Sequence, residues 1–140
     1  MTRIAFVSCA HPVLCPVQPA WHAIAAAEPD LLLLLGDNTY MSWEGKKWLI
    51  DDLRDNYAKQ FAVPGFKRLL QTTPHLAIWD DHDFGWNDCV GSELDAGQLA
   101  ATRALFDQHL GSALNNNPPH MYCWRRPKTE PRLRVVPTQN

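Results

Sequence analysis

Four aspartates, a histidine and an asparagine share the eleven residues 78–88, IWDDHDFGWND, directly behind an apolar run. Carboxylates crowded in this way repel one another and resist burial unless a cation or a network of donors compensates. Two other short stretches carry comparable groups. SCAH, residues 8–11, contributes Cys9, and GDNTY, residues 36–40, contributes Asp37 and Tyr40. Each follows a hydrophobic run. Read as parallel strands of one sheet, the three runs would deliver Cys9, Asp37, Tyr40, Asp81 and His82 to one rim. Open α/β sheets build their sites at that carboxyl end of the strands. No single stretch is specific; their common position after three successive strands points to a site.

The donor types point to a two-metal centre. A carboxylate can bridge two cations and hold them ~3.5–4 Å apart, the spacing that serves in-line phosphoryl displacement. Asp37 suits the bridge, because Gly36 before it lets the backbone turn sharply. Cys9 and Tyr40 are less usual partners. A free phenol has a pKa of about 10, so binding as phenolate near neutrality needs a strong Lewis acid, which favours ferric iron over magnesium. The oxygen-rich remainder, Asp80, Asp81 and Asn87, suits a harder cation such as calcium or magnesium. His82 could ligate, or donate a hydrogen bond to phosphate or to a leaving oxygen.

The elements that must position these groups follow from the hydrophobic patterning. RIAFVS, residues 3–8, reads as a buried strand. A short helix follows within residues 18–30, with Pro19 tolerated in its first turn and Pro29 ending it. Leu31 to Leu35 form a second strand; the run is short, bounded by Pro29 and Gly36, and needs cover on both faces, as in a parallel sheet. Residues 44–62 read as a helix, with Leu49, Leu53, Tyr57 and Phe61 recurring every four positions as an apolar stripe. Pro64 and Gly65 break it, and residues 66–73 form a short helix. HLAIWDD, residues 75–81, makes a third strand. A last helix runs from about Leu94 to Leu114, with Leu99, Phe106 and Leu110 on one side. Strands alternating with helices predict an α/β fold built from right-handed βαβ units around a mainly parallel sheet.

The totals narrow the function classes. A formal net charge of −2 over 140 residues argues against general electrostatic capture of nucleic acid or of an anionic membrane. No apolar run is longer than that of Leu31 to Leu35, far short of the roughly 20 residues that span a bilayer. The N-terminus shows no signal-peptide core, so the chain reads as soluble and cytoplasmic. Four cysteines without a CxxC pair suit neither a zinc finger nor a disulfide scaffold. Composition changes at Asn115. Residues 118–140 hold five basic groups, one acid and five of the eleven prolines. The expected division is therefore a domain over 1–114 and an irregular basic tail over 115–140.

Taken in order, FVSCA, PDLLLLLGDNTY, PGF and IWDDHDFGWND resemble the alkaline phosphatase D (PhoD-like) metallophosphatases of the calcineurin-like superfamily. The resemblance covers roughly residues 3–110. It implies a four-layer α/β/β/α fold, of which this chain would carry half. It also implies hydrolysis of small phosphate mono- or diesters at a binuclear centre of ferric iron with calcium or another divalent cation. Carried over, Cys9 matches the thiolate ligand, Asp37 the bridging carboxylate and Tyr40 the phenolate ligand of the iron. Asp81 matches an Asn or Asp ligand, His82 a catalytic histidine and Asn87 an asparagine near the second metal. The family completes its centre from a second half, usually near a GDxH- or GHxH-like element, and this sequence contains neither. A truncated, catalytically incomplete fragment is thus the competing expectation, and a half sheet would expose an apolar face.

Plainer readings stand beside these. DDHDFGWND could be a solvated turn with helix-capping aspartates, and Cys9 a small hydrophobe. His11 and His22 read as bystanders, with His11 at the edge of the pocket; His75 reads as structural; Lys46 and Lys47 read as solvated. GDN and GWND are also similar to blocks of SGNH-type esterases. The nucleophile position there would be Asn38, which has no hydroxyl to acylate.

Overall fold

Apolar runs bounded by glycine, proline and aspartate set the order of elements. A computed structural model describes residues 1–41 and 45–111 and the backbone of 123–125. It contains β1 (Ile4–Val7), α1 (Ala20–Ala26), β2 (Leu31–Leu35), α2 (Ile50–Ala62), α3 (Pro64–Thr72) and β3 (His75–Ile78). A one-turn α4 (Asp81–Phe84), a 3-10 turn at Gly91–Glu93, α5 (Ala96–His109) and β4 (Cys123–Arg125) follow. The sheet order is β1-β2-β3-β4. β1, β2 and β3 are parallel, with Phe6 opposite Leu33 and Leu33 opposite Leu76. The α/β class and its parallel sheet are as expected.

Four boundaries differ from the reading of the sequence. The helix expected from residue 44 begins only at Ile50, because Gly45 takes φ 70 and turns the chain before it. Pro64 opens α3 at its first turn as well as closing α2, the position where its missing N–H costs nothing. The third strand stops at Ile78: Asp80 and Asp83 form a capping box and wind residues 81–84 into helix. Asp95 and Gln98 cap α5, which ends at His109; residues 112–114 of the expected helix lie outside the described residues. The tail also departs from expectation. Residues 123–125 pair antiparallel with β3, with Ala77 opposite Cys123, and so occupy an edge that would otherwise leave backbone groups unpaired. The rest of 115–140 lies outside the described residues.

The core lies on one face of the sheet. Leu32, Leu34 and Ala77 meet Trp21 of α1, Leu53 and Tyr57 of α2, Phe66 and Leu69 of α3, and Leu105 and Phe106 of α5. Leu53 and Tyr57 of the predicted stripe are fully buried, and Leu49 and Phe61 pack at its margin. Among the described residues the expected cover of β2 is complete on one face and partial on the other, where Leu31 is buried but the rest of the face is open. On that second face, Ile4 (52%), Phe6 (69%) and Leu35 (43%) are exposed, and Leu33, Leu76 and Ile78 are half-buried. The expected open apolar face is therefore present among the described residues. Among those residues no helix is long and apolar enough to cross a membrane.

This face predicts self-association. Replacing Phe6 and Leu35 together by lysine should leave stability within about 0.5 kcal/mol, because both side chains already face water. Sedimentation velocity should show the wild type associating as concentration rises and the double variant remaining monomeric. Equal association of the two proteins would mean that this face is not what joins them.

Candidate metal centre

The site forms where β1, β2 and β3 end. Beyond the strands, the β1–β2 pairing continues through Cys9 N–H to the Gly36 carbonyl (3.4 Å) and Ala10 N–H to the Asp37 carbonyl (2.8 Å). This lays the SCAH loop beside GDNTY. Gly36, at φ 93, lies against the end of β3; a Cβ there would stand 2.6 Å from the Asp80 Cβ, so a side chain has no room. Cys9 (φ 61) and Asp37 (φ 53) both adopt the left-handed conformation. Aspartate tolerates it through local hydrogen bonding; cysteine has no such compensation, and strain of this kind concentrates at functional sites.

Asp37 stands at the centre of the constellation. Its Oδ2 accepts from the Tyr40 hydroxyl at 2.9 Å and meets the Cys9 thiol at 3.6 Å. Ligand atoms of Asp37, Asp81 and His82 lie within 4.8 Å of one another. Asp37 thus belongs to two groups of donors, Cys9 with Tyr40 and Asp81 with His82. Its Oδ1 is buried and has no hydrogen-bond partner among the described residues. A buried carboxylate oxygen without a donor is costly unless a cation compensates it, so the residues fit the metal centre expected from the sequence. Burial, then the Cys9 and Asp37 contacts, push the Tyr40 phenol above its ordinary range, so without a cation it remains a hydrogen-bond donor.

Two other expected site residues, Asp80 and Asn87, make hydrogen bonds of their own. The Asp80 carboxylate accepts the Asp81 N–H at 2.9 Å and caps α4, which is the plainer reading of DDHD. Asn87 is exposed, and its amide donates to Asp88 Oδ2 at 2.6 Å. Asp81 shapes that loop by accepting the Asp88 N–H. Asn38 is buried, and its amide donates to the Ile78 carbonyl (2.8 Å) and to Asp83 Oδ2 (3.2 Å). The position an SGNH-type esterase would use as nucleophile is therefore a structural clamp. His75 is buried in the core as expected, while Lys46 is paired with Glu93 at 2.8 Å.

Two residues matter more than the sequence indicated. Asp83 is fully buried, and its Oδ1 accepts from Asn38 N–H (3.0 Å), Thr39 N–H (3.3 Å) and the Tyr57 hydroxyl (3.3 Å). Its Oδ2 accepts from Asp80 N–H (3.0 Å) and from the Asn38 amide. One carboxylate thus ties GDNTY, the end of β3 and α2 together. Burial pushes the Asp83 carboxyl up to about 7, against the opposing pull of the Asp80 and Asn38 N–H groups. Its only trace in the sequence is the D-x-x-D spacing of a capping box. His11, read as a bystander, stacks on Tyr40 with ring centroids 4.4 Å apart. Its pairing depends on two loops meeting in space, which no local pattern encodes.

No family model, curated protein or solved structure matches the chain.

Proposed function

We propose that this chain carries the N-terminal part of a PhoD-like metallophosphatase site, a phosphoric ester hydrolase centre built for two cations. The observation that carries the reading is the double membership of Asp37, shared between a thiol–phenol pair and a carboxylate–imidazole pair. Cys9, Asp37 and Tyr40 would hold one cation, and their soft and phenolic donors suit ferric iron. Asp37 and Asp81 would hold a harder divalent cation such as calcium, with His82 beside it. Bound there, the cations would supply Lewis acidity toward phosphoryl oxygens.

The protein's own groups then have distinct tasks. Asp37 sets the separation of the two donor groups. His82, buried against the Tyr40 ring at a centroid distance of 4.3 Å, holds its imidazole in a fixed place to donate to the leaving oxygen. Asp83, through Asn38 and Thr39, keeps the Asp37 loop in register with the loop that bears Asp81 and His82.

The open sheet face supports the finer fold reading, in which this sheet is one of the two inner layers of an α/β/β/α sandwich. The same face favours a second reading of activity: the chain binds cations but is catalytically incomplete until another sheet covers it. Elemental analysis of the purified full chain, paired with hydrolysis of a chromogenic phosphate mono- and diester, tests both. Near-stoichiometric iron with chelator-sensitive hydrolysis is the expected result. Cation without turnover would favour the incomplete site, and absence of both would overturn the centre.

A further inference from the structure

His11 is tied to the candidate centre at two points. It follows Cys9 by two residues, and its ring lies 18° from parallel on the Tyr40 ring, which also lies against His82. Its Nδ1 accepts the Leu14 N–H at 3.2 Å. An imidazole nitrogen that accepts cannot carry the proton, so the neutral ring carries it on Nε2. Stacking and the Leu14 contact together fix both the plane of the ring and the direction of that N–H.

His11 is not one of the residues gathered around Asp81 and His82. The atoms that gather within 4.8 Å of one another belong to Asp37, Asp81 and His82. An oriented N–H donor beside a cation site, but not part of it, is matched to an oxyanion held at that site. Resting on the proposed phosphoesterase reading, we propose that His11 is a phosphate-binding residue: Nε2–H donates to a non-bridging oxygen of the ester, or of the phosphate product, held at the Asp37 centre.

The test uses the full chain reconstituted with ferric iron and calcium, titrated with inorganic phosphate by calorimetry, with cation content measured on the same samples. One hydrogen bond to a charged acceptor implies roughly 10-fold weaker phosphate binding in His11→Leu at unchanged cation content. His11→Gln, whose amide nitrogen can take the place of Nε2, should recover most of the affinity; a purely packing role for the ring would give no such recovery. Wild-type affinity in His11→Leu, or equal weakening in both variants, would overturn the proposal. So would a wild type that takes up cation but no phosphate. A wild type that takes up no cation would instead overturn the centre on which the proposal rests.

Discussion

If the proposed centre is right, Asp37→Asn is expected to lose cation binding, and with it any metal-dependent hydrolysis, while keeping its fold. Asparagine matches aspartate in volume and also tolerates the left-handed backbone at φ 53, so the turn after Gly36 should persist. The amide oxygen can still accept from the Tyr40 hydroxyl. What disappears is the negative charge that both donor groups share. Loss of a mere outer-shell partner typically weakens metal affinity by about 10–100-fold, so loss of a shared carboxylate should exceed the upper end of that range. Elemental analysis should find the variant depleted of both cations, not of one. Circular dichroism should overlay the wild type, with a melting temperature close to it. Retention of one cation at full occupancy would show that Asp37 does not bridge, and retention of both would remove it from the centre.

Asp83→Ala should act in the opposite way, through the fold before the chemistry. The substitution strips the acceptor from two backbone N–H groups of the GDNTY loop, from Asp80 N–H, from the Asn38 amide and from the Tyr57 hydroxyl. A buried donor left unsatisfied costs about 1–3 kcal/mol, and part of this set will find water as the loops loosen. A net loss of roughly 4 kcal/mol is expected, a large share of the ~5–15 kcal/mol that holds a typical domain. Urea unfolding should show the midpoint falling with little change in slope. Cation binding should weaken as well, although Asp83 is not among the grouped ligand atoms. Stability within about 1 kcal/mol of the wild type would mean that the loops are held by other contacts.

Asp37 and Asp83 separate the two levels at which this site is built. On the proposed reading, one is a ligand whose removal would leave the scaffold; the other is scaffold whose removal would scatter the ligand groups. The sequence distinguished them poorly, because both are aspartates at the end of an apolar run.

Much of the architecture was legible without coordinates. Three apolar runs interleaved with helical segments required a parallel α/β sheet, since parallel neighbours need crossovers and helices supply them. Each run stopped at chemistry-bearing residues, so parallel order alone brought Cys9, Asp37, Tyr40, Asp81 and His82 to one rim. That is a property of topology, and it survives errors of one or two residues at strand ends.

The rest was decided in three dimensions. By pattern alone WDD continues a strand, where side chains alternate between faces. In the structure the chain winds into α4 after Asp80, and successive side chains then turn by about 100°. Asp81 and His82 reach the Asp37 group, while Asp80 and Asp83 turn to capping and clamping. The difference arises because a capping box outweighs one more strand residue, a balance that composition does not show. His11 found Tyr40 only because two loops cross. Five leucines in a row looked the same on both faces, yet α1, α2, α3 and α5 cover one face and leave Phe6 and Leu35 in water. Local periodicity determined which residues form strands; only tertiary packing decided which side of the sheet became a core, and which aspartates gathered with His82.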